Sequence, residues 1–443
     1  MALALLALPG CGTLGAVGSA IGSAAGGGPT VEAGQEGFVR GFLGHVAAEE
    51  PRAALVARNV LSAGGTAADA AVAAGFTMAV TLPSRAGLGG GGACLLFHPR
   101  RNEAEAVVFP PGAREAVPAG ADRPAAVPML ARGLFALHAR AGRRPFEELL
   151  VPAEQAARLG TEVSRAFAAD LAAVSGPLFA DPWAAAAFAG PGGRPPAVGE
   201  RIVQTDLSAT LAILRTAGVG DLHQGGLARR LEETSVPAGG GLTAGELRAS
   251  VPQVLAPLQV RVGNDTASFL PASVPGGQET AAAFQAAMAG GAAPVPQAAA
   301  LPASTALVVL DRDGMAVSCA FTMNNLFGTG RVAPGTGVLL AAAPGLGEVR
   351  PPLYAAGIAH NDSLRAFRAA AAGSGQAAAP AAAAAALAAM LRGQAASAAL
   401  AGVPEPGRAV AVGCTRYLPG QPEGCTAAAD PRGGGLAVGA MDR

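Results

Sequence analysis

Residues 302–330 read PASTALVVLDRDGMAVSCAFTMNNLFGTG, and the fold turns on how this stretch is parsed. It splits into two apolar runs, 305–311 and 315–323, joined by Arg312-Asp313-Gly314. The first run is aliphatic and β-branched, which suits a strand. A three-residue hairpin loop favours Gly in its left-handed third position, and Gly314 stands there. In that register Ser304 falls opposite Thr322. A two-residue turn would instead set Ser304 against Phe321, with Thr322 still a neighbour. Either way one hydroxyl stands at the mouth of a hairpin with another beside it. Taken alone, the stretch is an ordinary buried hairpin.

Composition narrows the functions this hairpin can serve. The chain has 443 residues, enough for one large core or two domains, and mixes helix-period and strand-period patterns. It is 51% hydrophobic with a formal net charge of zero. No basic patch is present to release counterions, so a nucleic-acid partner is excluded. Aromatic residues are 4%, too few for stacking platforms. The sequence contains no lysine, which removes Schiff-base chemistry, a Walker A lysine and an SxxK nucleophile together. His45, His98, His138, His223 and His360 are scattered without metal-ligand spacing, and no G-x-S-x-G elbow occurs. Neither a metal nor another cofactor is expected.

The run STALVVLDRDGMAVSCAFTMNNLFGTGRVAPGTGVLL resembles the start of the small subunit of gamma-glutamyltransferases, the glutathione hydrolase family. There, Thr-Thr-His opens a V-V-D-x-x-G-N-A-V-S hairpin followed by T-x-N, F-G-(S/T)-G and P-G-x-G-(I/V)-L-L. A second block, ARNVLSAGGTAADAAVAAGFTMAVTLPSRAGLGGGGACLLF, resembles the family's G-G-N-A-x-D-A-A-V-A and G-x-G-G-G pattern. The resemblance implies an α+β fold, a four-layer αββα sandwich of the N-terminal nucleophile hydrolase type. It implies self-cleavage between Ala303 and Ser304, dividing a large-subunit-like part, 38–303, from a small-subunit-like part, 304–443. Together these would form one intertwined domain. Ser304 takes the place of the nucleophilic Thr, and Thr305 is the alternative if the register slips by one.

The resemblance also assigns the neighbours. Thr322 matches the residue that orients the nucleophile. Asn324 matches a substrate-binding residue, and Arg114, in the strand-to-turn segment EAVVFPPGAREAVP, matches the arginine that pairs with the substrate carboxylate. A planar guanidinium suits that task, because it meets a carboxylate bidentately. Gly375 stands where a glycine pair supplies oxyanion-hole N–H groups. Other positions depart from the family. N-N-Q-M-D-D-F, which grips the substrate ammonium, becomes Ala341-Ala342-Ala343-Pro344-Gly345-Leu346, and P-L-S-S-M becomes Pro352-Leu353-Tyr354-Ala355-Ala356. Recognition of a free amino-acid head is therefore largely lost, with Asp362 an unplaced substitute. The implied partner is a small-molecule gamma-glutamyl or other amide substrate. An unprocessed pseudoenzyme or lipid-anchored binding protein on the same fold is the alternative.

The remaining signals are local. Residues 1–10, MALALLALPG, precede Cys11 in a lipobox-like arrangement, with a Gly/Ala/Ser tether over 12–37. Export to the periplasm follows, with Cys11 as the lipidation site, although no Arg or Lys precedes the apolar run. Cys414 and Cys425 bracket a short Pro/Gly-rich loop and are expected to form a disulfide contributing up to about 3 kcal/mol. Cys94 and Cys319 lie in apolar runs and are expected to be inert core thiols. Gly87–Gly92 spells G-x-G-x-x-G, but a strand follows where a dinucleotide site needs a helix. Those glycines are expected to let backbones approach closely. Asp69 is expected to cap its helix, and the Pro/Ala/Gly-rich segment 263–301 to be exposed.

Overall fold

The computed structural model describes residues 42–114, 116, 119–291, 302–346, 349–350 and 352–441. Cys11 and its tether lie outside these residues, as do 292–301. Two antiparallel sheets stack face to face. The first runs Leu436–Met441, Phe42–Ala48, Ser304–Asp311, Ala316–Thr322, Gly91–His98, Glu103–Phe109, Gln253–Leu255. The second runs Cys425–Ala429, Arg408–Leu418, Ala366–Ser374, Ala355–Asn361, Asp265–Phe269, Leu258–Val262.

The 302–330 stretch is the hairpin its pattern predicts. Pairing follows the three-residue register, with Leu310 opposite Ala316 and Ser304 opposite Thr322. Gly314 turns the chain at φ +85°. The strand Ser304–Asp311 is apolar throughout because it is central and covered on both faces. Ala306, Val308 and Leu310 pack between the sheets against Ile358, Phe367 and Val410. Leu307 and Val309 face the opposite way, into a core shared with Val72, Leu134 and Leu211. A third core lies beyond the second sheet, where Phe269 and Ala371 meet Phe284 and Leu387. Helix, sheet, sheet and helix thus stack in order, and the architecture is the αββα sandwich.

Alanine and glycine set the spacing of the layers. The helix Ala67–Thr81 is buried along its whole length and is nearly all small residues on its sheet side. Thr66 and Asp69 close its capping box, and the buried Asp69 carboxylate also accepts from the Arg143 and Arg144 N–H groups. At Gly91 an added Cβ would come within 2.2 Å of the Phe109 carbonyl oxygen. The glycine run is therefore a close-approach device opening the strand Gly91–His98. On the far side the helix Ala379–Leu391 buries eleven residues, all Ala, Pro or Leu except Met390.

Two expectations are corrected. Cys94 and Cys319 are not free thiols: they face each other across adjacent strands and form a disulfide. The second bridge, Cys414–Cys425, forms as its spacing suggests. The segment 263–301 is not simply an exposed run, since it contains the strand Asp265–Phe269 and the helix Gly277–Met288. Phe269 and Phe284 are fully buried there, so its small residues serve packing.

Candidate active site

The sheet register brings the two hydroxyls together. Ser304 opens its strand and is 3% exposed, directly opposite the buried Thr322. The Thr322 hydroxyl donates to the carbonyl oxygen of Ala303 at 2.7 Å. That carbonyl belongs to the peptide bond in front of Ser304. The Asn324 N–H donates in turn to Thr322 Oγ1 at 2.8 Å, and Asn324 Nδ2 donates to the Ala342 carbonyl at 2.9 Å. Asn324 holds φ +63°, a conformation asparagine tolerates better than most residues. From the second sheet, the Gly375 N–H donates to Ser304 Oγ at 3.4 Å. Gly375 has φ +108°, and an added Cβ would lie 3.0 Å from the Gly407 Cα. The Gln376 side-chain oxygen accepts from the Ala303 N–H at 2.8 Å.

Ser304, Thr322, Asn324, Gly375 and Ala303 thus converge at one end of the two sheets. Arg114 is held elsewhere in its own network. Its Nε donates to Glu246 Oε1 at 2.6 Å, Nη1 to the Ala125 and Gly240 carbonyls, and Nη2 to the Gly241 carbonyl. Four of its five N–H donors are engaged within the protein. Asp362 follows the strand Ala355–Asn361 at the end away from Gly375, and it binds Thr266, Arg261 and His360.

A cavity of about 470 Å³ opens beside Asn325, bounded by Asp122, Arg123, Thr329, Ala342 and Ala343. Asp122 is tied to Arg331 at 2.7 Å. Arg123 Nη1 donates to the Thr329 carbonyl at 2.9 Å, and among the described residues no carboxylate forms an ion pair with it. Ser304 does not line this cavity.

Sequence reasoning missed the charges behind Ser304. Glu49 is 6% exposed, and its carboxylate accepts from the Ser374 hydroxyl. Burial pushes its carboxyl above the usual range, against the pull of Arg85, Ser374, Thr305 and Arg408. Arg85 is itself buried and forks onto Asp170, with Nε and Nη2 at 2.8 and 2.7 Å. Ser84 donates to the same carboxylate. The available signal was an acidic pair, Glu49-Glu50, between a hydrophobic strand and a helix.

The comparisons agree with this architecture. A family model described as gamma-glutamyltranspeptidase matches residues 53–289. "Glutathione hydrolase 7" of Homo sapiens is 32% identical over 215 residues, 45% of this chain and 31% of that protein. "Acylase ACY 1 proenzyme" of Pseudomonas sp. (strain SE83) is 31% identical over 231 residues, 47% of this chain and 41% of that protein. The matched region thus spans about a third of the first of these and two-fifths of the second. The solved cephalosporin acylase from Bacillus halodurans shares the fold at a TM-score of 0.72 and 17% identity, covering 94% of this chain and 98% of that one. A structure titled LmbA2991T421A does so at 0.71 and 19%, covering 91% and 99%. With its N-terminal helices matched by the family model, and its sheets by an acylase architecture, this chain belongs to the gamma-glutamyltranspeptidase family.

Proposed function

We propose that the chain is an exported N-terminal nucleophile amidohydrolase that cuts itself between Ala303 and Ser304. The Ser304 hydroxyl then hydrolyses or transfers a gamma-glutamyl or related acyl group. One observation carries the reading: the Ala303 carbonyl accepts a hydrogen bond from Thr322 while the adjacent residue supplies a hydroxyl. A polarised carbonyl and a tethered nucleophile make the reaction intramolecular, which removes the entropic cost of bringing them together. Ser304 Oγ bonds to the Ala303 carbonyl carbon, the C–N bond breaks, and the hydroxyl proton ends on the departing nitrogen. Water then hydrolyses the resulting ester, leaving a carboxylate at Ala303 and a free Ser304 amine. That amine, with a reference pKa of about 7.7–8.0, becomes the base for later turnovers. In those turnovers the Gly375 N–H, which lies beside Ser304 Oγ, supplies the oxyanion donor, whereas in the cut itself Thr322 donates to the Ala303 carbonyl. No step needs a cofactor.

The acyl group binds in the cavity beside Asn325, where Arg123 is the cation among the described lining residues. Ala341, Ala342 and Ala343 offer an ammonium no carboxylate, and burying an unpaired charge costs several kcal/mol. This weighs toward a related acyl group over gamma-glutamyl itself. Arg114 could anchor a carboxylate bidentately only by releasing a partner such as Glu246, since four of its five donors are engaged. Two disulfides fit an oxidising compartment, and lipidation at Cys11 would anchor the chain to the membrane there. No described helix is long and apolar enough to cross a membrane.

A second reading, an uncut relative that binds without catalysis, draws on the 3% exposure of Ser304 and its absence from the cavity wall. Denaturing electrophoresis under reducing conditions decides between them. Two fragments meeting at residue 304 are expected, with Ser304→Ala leaving the chain whole. Thr322→Ala should slow the cut by about 10²- to 10³-fold, the loss typical of removing one oxyanion donor. A purified wild-type chain that stays in one piece overturns the enzymatic reading. Release of amine from gamma-glutamyl and simple acyl anilides then ranks the substrate classes.

A further inference from the structure

Glu49 stands at the junction of three segments that build the site. Its backbone N–H donates to the Ala306 carbonyl at 3.2 Å, which pins the strand that begins at Ser304. Its carboxylate accepts from Ser374 Oγ, the last residue before Gly375. The Gly375 N–H in turn points at Ser304 Oγ, 3.4 Å away. One buried residue therefore ties the two together, its backbone N–H holding the strand that carries the nucleophile and its carboxylate holding the strand end that carries the donor.

The surroundings are costly to maintain for a purely structural purpose. Glu49 Oε2 and Thr305 Oγ1 are both buried, and Thr305 is among the groups that hold the carboxyl down against burial. Arg85 faces the carboxylate from the helix Pro83–Ala86, and Arg408 from the strand Arg408–Leu418. Asp170 occupies the Arg85 fork, Asp430 lines the same small cavity, and Glu50 on the adjoining turn is engaged by the Ala53 N–H. Charged groups buried this way beside a reactive hydroxyl make the cluster a functional-site candidate.

We infer that Glu49 is a positioning residue that, through Ser374, holds the Gly375 N–H on the Ser304 oxygen during self-cleavage. The inference rests on the self-cleavage reading above and adds a residue that the reading does not need. An ionised carboxylate holds a hydroxyl about twice as firmly as a neutral acceptor. Burial raises the carboxyl above its ordinary range, so Glu49 gains its grip as pH rises through that raised value.

The test is the rate at which freshly refolded or newly synthesised full-length chain divides, followed on reducing gels from pH 4.5 to 8. Glu49→Ala and Ser374→Ala should each slow the cut by about 10-fold or more, as a misplaced nucleophile would. Glu49→Gln should cut faster than Glu49→Ala, at a rate that stays flat where the wild type rises and that matches the wild type's acid-side value. A merely structural Glu49 would leave the shape of the pH profile untouched. Should Glu49→Ala fail to fold, Ser374→Ala removes a single oxygen and asks the same question. Wild-type rates in both alanine variants, or the wild-type pH rise persisting in Glu49→Gln, would overturn the inference. If the wild type itself never divides, the parent reading fails first and takes this inference with it.

Discussion

At Ser304 the decisive feature is what lies on either side of one peptide bond. The carbonyl before it takes a proton donor from Thr322, and its own oxygen takes one from Gly375. Ser304, Thr322 and Asn324 could be named from sequence because they lie within one hairpin, where pairing follows from the turn. Glu49, Arg85 and Asp170 could not, because Arg85 meets Asp170 across 85 positions of chain and Glu49 meets Ser374 across 325, and nothing local announces either contact. Arg114 shows the limit of a motif match. The motif places an arginine, but the fold decides what the guanidinium binds, and here Glu246 and three carbonyls hold it. Arg114→Ala should therefore lower stability by about 1–3 kcal/mol, the cost of leaving buried carbonyls unpaired. Differential scanning fluorimetry checks this. An unchanged melt with a weakened KM would return Arg114 to the substrate.

At the scale of elements, the hairpin was legible because both of its faces are buried, so an unbroken aliphatic run could only be a central strand. The helix Ala67–Thr81 was legible from its spacing and its cap. The disulfide Cys94–Cys319 was not, because its cysteines become neighbours only when the strands Gly91–His98 and Ala316–Thr322 pair. One residue joins these elements in a way that pH should expose. Asp311 ends the strand Ser304–Asp311, accepts from the Met315 N–H across the turn, and accepts from the Ala67 N–H at the start of the long helix. Burial pushes its carboxyl up to about 6, above the ordinary 3.8 of an aspartate. A carboxyl raised by folding favours the folded state most when protonated. Its contribution is therefore fully present below pH 3.8 and is lost as pH rises through about 6. Chemical denaturation at pH 4, 5 and 6.5 should show that loss in the wild type. The slope should flatten in Asp311→Asn, whose side chain does not titrate. An identical slope in both proteins would assign the titration to another group.

For the molecule as a whole, the order of the layers came from family resemblance, since periodicity distinguishes helix from strand but not which sheet faces which. The structure adds how the two parts interlock. In the first sheet the strand Phe42–Ala48 lies between Leu436–Met441 and Ser304–Asp311, so strands from either side of residue 304 alternate. The second sheet joins Asp265–Phe269 to Ala355–Asn361 in the same way. A cut before Ser304 therefore leaves two pieces that share both sheets, and separating them would unfold both. The cut also places Cys94 in the larger piece and Cys319 in the smaller, with the bond between them spanning the divide. Cys414 and Cys425 both stay in the smaller piece and contribute nothing to the link. Processed protein should consequently run as a single species on a denaturing gel without reductant and as two species with it. Cys319→Ala should release two bands without reductant, while the pieces still co-elute on native gel filtration through their shared sheets. Two bands from unreduced wild-type protein would show that the Cys94–Cys319 bond does not form, and the strands alone would then hold the halves together.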